Sequence, residues 1–385
     1  MTHTFSHTHY DAVIVGARCA GAATAMLLAR QGARVLLVDR DPAPGDTIST
    51  HALMRPAITL LDAWGVLPAI AEGGTPAVQQ TRFVYGDQAV EVPIAPAGRA
   101  EGLYAPRRTL LDKALRDAAL TAGAEFQLGT AFEDVIRDGS GRVTGAVLRS
   151  RWGVPAEVSS DILIGADGRL SALAKAVGAQ VTAQAGTACA TIYGYVPGVP
   201  NEGYRWYFAP GIAGGAIPTT GGDHCVFLSC RQSDAAARFG ADPLQALADG
   251  IAGWEVDVAR AVRRAAPRLR RYGGAPGHIR NCAGQGWALV GDAGYFKDPV
   301  TAHGITDALL DAHRLAAAIA GPGKTAAYQA ARDAHAPAML SLTHRIAALD
   351  WSLDQVRAMH LDLARLIKAE GAALAIELDA HRRAA

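Results

Sequence analysis

The stretch VIVGARCAGAATAMLLARQGARVLLVDR, Val13 to Arg40, decides the fold. An apolar run, Ala12 to Val15, ends in Gly16; an alanine-rich helical segment runs from Gly21 to about Gln31, and ARVLLVD reads as a second buried strand. Strand, helix and strand make a β-α-β unit. Where a dinucleotide fingerprint has Gly-x-Gly-x-x-Gly, this chain has Gly16, Arg18 and Gly21. The first glycine of such a turn permits the bend, the second lets backbone approach pyrophosphate, and the third lets the helix pack closely on the strand. Gly16 and Gly21 keep the first and third tasks. Arg18 brings a guanidinium to phosphate oxygens instead, beside the free N–H groups of a helix N-terminus. Asp39, followed by Arg40, ends the second strand, where a carboxylate accepts from both hydroxyls of an adenosine ribose.

Two further segments repeat the strand-to-loop logic. LIGADGRLSALAKAVG sets Asp167 and Gly168 between a strand and a helix, and ALVGDAGYFKDPVTAHGITDALLDAHRLA does the same with Gly291 and Asp292, followed by Pro299, Gly304 and Ile305. Asp292 is suited to accept from a sugar-alcohol hydroxyl, and a helix opening at Gly304 turns its N–H groups toward an electron-rich ring edge. Taken with the opening motif, these segments resemble the three motifs of the FAD-dependent monooxygenases of the hydroxybenzoate hydroxylase type, over residues 11 to about 318. The resemblance implies that Asp292 meets the ribityl chain and that Asp167 serves FAD and a reduced nicotinamide, NADPH or NADH. It also maps APRRTLLDKALRDAA onto the segment whose arginine meets the cofactor diphosphate, which is Arg108 here, with Arg107 as the fallback.

The departures define further candidates. The usual Gly-Gln-Gly before the last helix is Ala302-His303-Gly304, which makes His303 a candidate to tune the flavin or give a proton, with Pro299 beside it. DTISTHALMRPAITLLDAWGVL is similar to the segment that lies over the flavin; its arginine is Arg55, and His51 is a second candidate. Aromatic residues alternating along TIYGYV and RWYF place a substrate pocket near Tyr193, Tyr195, Trp206, Phe208 and Pro218.

The expected fold class is α/β: an FAD-binding Rossmann-like β-α-β domain interrupted by an antiparallel-sheet substrate domain, with a helical C-terminal tail. FAD-binding parts are expected at 1–75, 106–182 and 276–320, substrate-domain parts at 76–105 and 183–275, and helices over 321–385. Lysine and arginine (37) nearly balance aspartate and glutamate (36), so nucleic acid has no electrostatic footprint. Five scattered cysteines form no Cys-x-x-Cys pair, which points away from zinc and disulfides and toward a reducing cytoplasm. No apolar run reaches the roughly 20 residues of a membrane helix, and the basic-then-apolar order of a secretory leader is missing. His3, His7 and His9 read as an exposed tail without fixed geometry, and no metal is expected.

The resemblance implies that the flavin carries the chemistry, trapping oxygen as a C4a-hydroperoxide in a dry pocket. The leading expectation is therefore an NAD(P)H-dependent monooxygenase that hydroxylates or epoxidises a small aromatic or apolar compound with molecular oxygen. A flavin-dependent halogenase is set aside, because its early lysine and Trp-x-Trp-x-Ile-Pro element have no counterpart; the first lysine is Lys113. YRWYFAPGIAGG loosely resembles the Tyr-x-Trp-x-Phe-Pro element of geranylgeranyl-reductase-like enzymes, which reduce a double bond without oxygen, and that alternative stays open. So do a flavin-binding sensor without turnover and, for assembly, a homodimer.

Overall fold

The computed structural model describes residues 5–43, 45–151, 153–320 and 324–384. The chain opens with β1 (His9–Val15), α1 (Cys19–Arg30) and β2 (Val35–Asp39), then α2 (Arg55–Ala63), α3 (Leu67–Glu72), β3 (Gln80–Tyr85) and β4 (Gln88–Pro93). It continues through α4 (Arg108–Thr121), β5 (Glu125–Leu128), β6 (Thr130–Arg137), β7 (Val143–Ser150), β8 (Ala156–Gly165), α5 (Ala172–Ala176) and β9 (Val181–Gln184). The next stretch holds β10 (Cys189–Pro197), β11 (Tyr204–Ala209), β12 (Ile212–Pro218), β13 (Asp223–Arg231), α6 (Ala235–Phe239), α7 (Pro243–Ala252), α8 (Val256–Ala265) and β14 (Arg270–Tyr272). Last come β15 (His278–Arg280), β16 (Ala283–Gly284), β17 (Trp287–Leu289), β18 (Tyr295–Phe296), α9 (Gly304–Ala320), α10 (Lys324–Asp333), α11 (Ala336–Ala347) and α12 (Leu353–Ala384).

One sheet carries the β-α-β unit, in the order β16-β17-β8-β1-β2-β5, with the β6–β7 ribbon attached through β8. Its centre is parallel: Ala12 to Val15 pair with Val35 to Val38 on one side and with Ile162 to Gly165 on the other. Val13, Ile14, Leu36 and Leu37 are fully buried, as expected where helices cover both faces of a parallel sheet. The alanines of α1 let it lie close to α4 and α9. A second sheet, β14-β10-β13-β12-β11-β3-β4, is antiparallel except where β11 meets β3. A three-stranded sheet, β18-β15-β9, links the two.

Alternation along the second sheet sorts its side chains. Tyr193, Trp206, Phe208 and Phe227 join the core shared with the nucleotide unit, whereas Ile192, Tyr207, Val226 and Leu228 pack on the far face with α7 and α8. Those two helices lie inside a stretch that the sequence reading gives mainly to strand. Their pattern is helical all the same: Val258, Ala259, Ala261 and Val262 are buried at i, i+1, i+3 and i+4, opposite an arginine face. Pro218 corrects another expectation. It follows Ile217, which faces the shared core, so by alternation it belongs to the opposite phase from the aromatic group.

The histidine cluster also differs from its reading as a loose tail. His9 starts β1 and its Nε2 stands 3.1 Å from Asp161 Oδ1, while His7 packs edge-on against the Tyr10 ring; His3 lies outside the described residues. The five cysteines are buried free thiols. No helix of the described residues is long and apolar enough to cross a membrane. In the C-terminal helices Leu342 and Ile346 join the main core and Leu340 a small cluster with Ile279 and Tyr295, so this tail covers the two sheets' junction.

Candidate active site

A cavity of ≈ 680 Å³ opens at the carboxyl ends of β1, β2 and β8, where α/β sheets place ligands. At one end is the opening turn. Gly16 has φ +104°, and a Cβ there would stand 2.4 Å from the Ala166 carbonyl oxygen; one on Gly21 would meet the Gly16 oxygen at 1.8 Å. The two glycines therefore bring β1, α1 and the loop after β8 closer than any side chain permits. Arg18 stands at the helix N-cap with extended backbone, and its Nη1 is buried with no partner among the described residues. Asp39 Oδ2 accepts from the Ala17 N–H at 2.7 Å and Oδ1 from the Asp41 N–H at 2.8 Å. That carboxylate holds the turn in shape while still facing the cavity, as do Arg18 and the exposed Arg40.

Arg108 and Arg107 part company. Arg108 begins α4, lines the cavity and is anchored by the buried Asp112 at 3.0 Å. Arg107 turns to the second sheet, bonding Asp46 at 2.7 Å and lying 3.3 Å over the Tyr195 ring. Asp167 and Gly168 line the cavity, but the Asp167 carboxylate is engaged at the start of α5, accepting from Ser171 Oγ at 2.5 Å and the Ala172 N–H at 2.7 Å.

At the other end the loop after β17 and the start of α9 form the wall, with Asp292, Pro299, Gly304 and Ile305 all in it. Gly291 stands behind, between α1 and α9. The Asp292 carboxylate meets no hydrogen-bond donor among the described residues, and burial pushes it up to about 6 against the pull of Arg108, Lys297 and Arg169. Ala302 adopts φ +49°, a conformation that costs a residue with a Cβ about 1–2 kcal/mol.

Several sequence candidates point elsewhere. His303 is fully buried and does not reach the cavity: its Nε2 bonds Glu370 of α12 at 2.9 Å and lies 3.7 Å from Asp307. Burial lowers its pKa, partly offset by the Glu370 carboxylate. Arg55 opens α2 and donates to the Ala95 carbonyl, away from the cavity. None of Tyr193, Tyr195, Trp206, Phe208 and Pro218 lines the cavity; Trp206 packs on Phe227, and Phe208 on Tyr85 and His360. Tyr195 comes nearest in effect, because its hydroxyl stands 2.6 Å from Nε2 of His51, which does line the cavity. His51 has φ +66°, a strained value for a residue with a side chain, and burial drives its pKa down to about 3.

Lys297 is the residue the sequence reading missed. It lines the cavity between Asp292 and Pro299, is 5% exposed, and its Nζ lies against Asp307. A lysine directly after the aromatic pair Tyr295 and Phe296, in GYFKDP between two motif segments, was the available signal.

The cavity fits FAD on three counts: a cradle that side chains would fill at Gly16 and Gly21, an orphaned buried guanidinium nitrogen on Arg18, and an undonated carboxylate on Asp292. Comparison with known proteins agrees. The family described as FAD binding domain matches residues 9–343. Menaquinone reductase of Mycolicibacterium smegmatis is 30% identical over 355 residues, 84% of this chain and 80% of that one. Digeranylgeranylglycerophospholipid reductase 2 of Methanopyrus kandleri is 29% identical over 315 residues, 78% of this chain and 74% of that one. Among solved structures PqsL of Pseudomonas aeruginosa, a probable FAD-dependent monooxygenase, superposes with a TM-score of 0.78 at 20% identity, covering 91% of this chain and 99% of its own. With the cradle, the open carboxylate and these relatives together, the chain belongs to the FAD binding domain family and is an FAD-dependent oxidoreductase.

Proposed function

We propose that the protein reduces a carbon–carbon double bond of a mostly apolar compound, with FAD as the hydride donor and NAD(P)H as the source of its electrons. The observation that carries this reading is the His51–Tyr195 pair. Such a reduction adds a hydride to one carbon and a proton to the other, and bound FAD supplies only the hydride. His51 lines the cavity as a neutral imidazole; one ring nitrogen is held by the Tyr195 hydroxyl, and the other has no partner among the described residues. A neutral imidazole placed in this way relays a proton from phenol to a molecule in the cavity. Burial holds the Tyr195 hydroxyl well above the ordinary phenol range, and Arg107 over its ring opposes that rise, so the phenol keeps its proton until the imidazole passes one on. The relatives at 29–30% identity that are named reductases support the same reading.

Around FAD, Arg18 and the N-terminus of α1 would hold the diphosphate, Asp39 the adenosine ribose, Asp292 the ribityl chain and the start of α9 the pyrimidine edge of the ring. Arg108 would sit by the diphosphate.

A second reading, hydroxylation or epoxidation of a small aromatic compound with molecular oxygen, is supported by the likeness to PqsL, a probable FAD-dependent monooxygenase. One experiment separates the readings. FAD-loaded protein is reduced by NADPH or NADH without oxygen, then given a polyunsaturated prenyl quinone or, separately, air and an aromatic acid. Anaerobic flavin reoxidation with a saturated product supports the reductase. Reoxidation that needs oxygen, with one oxygen atom gained by the ring, selects the oxygenase. No turnover with either leaves a flavin-binding sensor.

A further inference from the structure

We propose that Lys297 is a redox-linked protonation site: its side chain takes up a proton when bound FAD is reduced and returns it on reoxidation, by way of a small polar cavity on the far side from FAD. The proposal rests on FAD occupying the large cavity and not on which substrate is turned over.

The geometry is that of a bridge between two spaces. Lys297 shares the wall of the large cavity with Asp292, Pro299 and Gly304. Its Nζ meets Asp307, and Asp307 and Glu370 both line a second cavity of ≈ 20 Å³ together with Asp311, Arg314 and Arg332. That volume admits about one water molecule, and its charged walls supply the two to four polar partners such a water needs. FAD in the large cavity would cover Lys297 on one side and leave this second space as its route to solvent protons.

The groups around Nζ decide whether it titrates. Facing it are Asp292 from the loop after β17, the Tyr295 ring at 4.6 Å, Asp307 and Asp311 from α9, and Glu370 from α12, with His303 bonded to Glu370. The cations that share these carboxylates are Arg108 and Arg169 at Asp292, Arg332 and Arg314 at Asp311, and Arg314 at Glu370. Burial brings Lys297 down to about 7, against the pull of Glu370, Asp292 and Asp311. Asp292 and Asp311, at about 6, are already ionised above neutrality, and His303 is held neutral by burial. At Nζ burial opposes the contact with Asp307 and the pull of three further carboxylates, and within this cluster Lys297 is the group held nearest neutral pH.

Reduction adds an anion to the cavity. FAD takes two electrons from a reductant and one proton from water, and becomes an anion; that charge raises the proton affinity of Nζ, which takes a second proton from water and passes from amine to ammonium. Reoxidation reverses both steps. Between the oxidised-state and reduced-state pKa values of Lys297, two protons accompany two electrons instead of one.

The test uses the FAD-loaded protein, titrated with dithionite against redox dyes between about pH 7.5 and 9, a window set by the linkage above. Each proton per electron pair changes the equilibrium tenfold per pH unit, which is about 30 mV for a two-electron couple. The wild type is expected to fall by about 60 mV per pH unit and Lys297→Met by about 30 mV. Lys297→Arg, charged but not titrating, is expected to show the shallow slope while keeping the wild-type potential at the low end of the range. Equal slopes in all three overturn the proposal. Should Lys297→Met fail to keep FAD, the slope of Lys297→Arg decides alone. Glu370→Gln is expected to keep the steep slope and slow proton uptake, followed with an indicator dye in rapid mixing, by about tenfold or more. An unchanged uptake rate removes the second cavity as the route. A wild-type preparation that takes up no flavin would reject FAD in the cavity and is thereby distinct from these outcomes.

Discussion

The two ends of the large cavity hold charge in opposite ways. At the opening turn the charged groups are open to water: Arg40 is exposed, and Arg18 and Asp41, 3.7 Å apart, are 37% and 52% exposed. At the far end they sit deeper, Asp311 and Lys297 buried and Asp292 half-buried in the cavity wall. Asp292 and Asp311 are pushed up to about 6 and Lys297 down to about 7, each mainly by burial. A solvated charge contributes affinity and is screened by salt, whereas a buried one gains a proton affinity that responds to its neighbours. The first end is built to hold a cofactor and the second to respond to its redox state. Arg108 lies between them, cavity-lining and buried against Asp112.

The largest effect should come from that junction. Arg108→Leu leaves Asp112, 1% exposed, without its cation, and breaking a buried pair from one side costs about 3–5 kcal/mol. Urea unfolding of the variant should show a loss of this size together with lost FAD retention. A loss below 1 kcal/mol, a threshold typical of solvent-screened pairs, would mean that the Arg108 pair is solvated like those of the opening turn.

The next effect depends on pH and probes the deeper end. Asp292 has a folded-state pKa of about 6, above the ordinary carboxylate value near 4, so the folded protein binds its proton more tightly than the unfolded chain does. Its ionisation therefore lowers stability as pH rises from about 4 to about 6. Relative to Asp292→Asn, the wild type without FAD should lose on the order of 2 kcal/mol across that interval, at about 1.4 kcal/mol per pH unit between the two values. Parallel stability curves for the two proteins would place Asp292 in water.

The same contrast explains what the sequence disclosed. The opening turn is local: Gly16, Arg18, Gly21 and Asp39 lie within one β-α-β unit, whose spacing alone fixes their positions. Asp292, Pro299 and Gly304 follow the same strand-to-helix logic, and the structure sets all three in the cavity wall. His303 could not be placed this way. Its orientation is decided by Glu370, 67 residues on, in a helix whose docking no local pattern reveals. Lys297 was hidden for a related reason, since its burial depends on α9 and α12 closing over it. For the aromatic residues of the second sheet, alternation identifies a face and says nothing of what covers it. Trp206 and Phe208 turned out to be covered by other rings.

Back at the open end, Asp39→Asn keeps one oxygen acceptor for the Ala17 or Asp41 N–H while removing the charge. A hydrogen bond to a charged group is worth roughly 1.5–3 kcal/mol, so FAD should bind about tenfold more weakly, as read by flavin fluorescence at equilibrium. Equal binding would take Asp39 out of the adenosine site.

Arg18 should give the smallest effect and the finest test of what an open end does. Its side chain makes no cap hydrogen bond and only a long, exposed contact with Asp41, so Arg18→Ala should leave the melting temperature almost unchanged. FAD affinity should fall a few-fold, about 1 kcal/mol or less, and the part that Arg18 contributes should fade as salt rises, because a solvated contact to phosphate is screened over about 10 Å at 0.1 M. Arg18→Gly separates two accounts of the position. If the arginine stands in for the close backbone approach of the missing glycine, glycine should bind FAD better than alanine and lose the salt dependence. If glycine and alanine bind alike, the backbone at residue 18 does not approach the diphosphate, and the guanidinium contributes through charge alone.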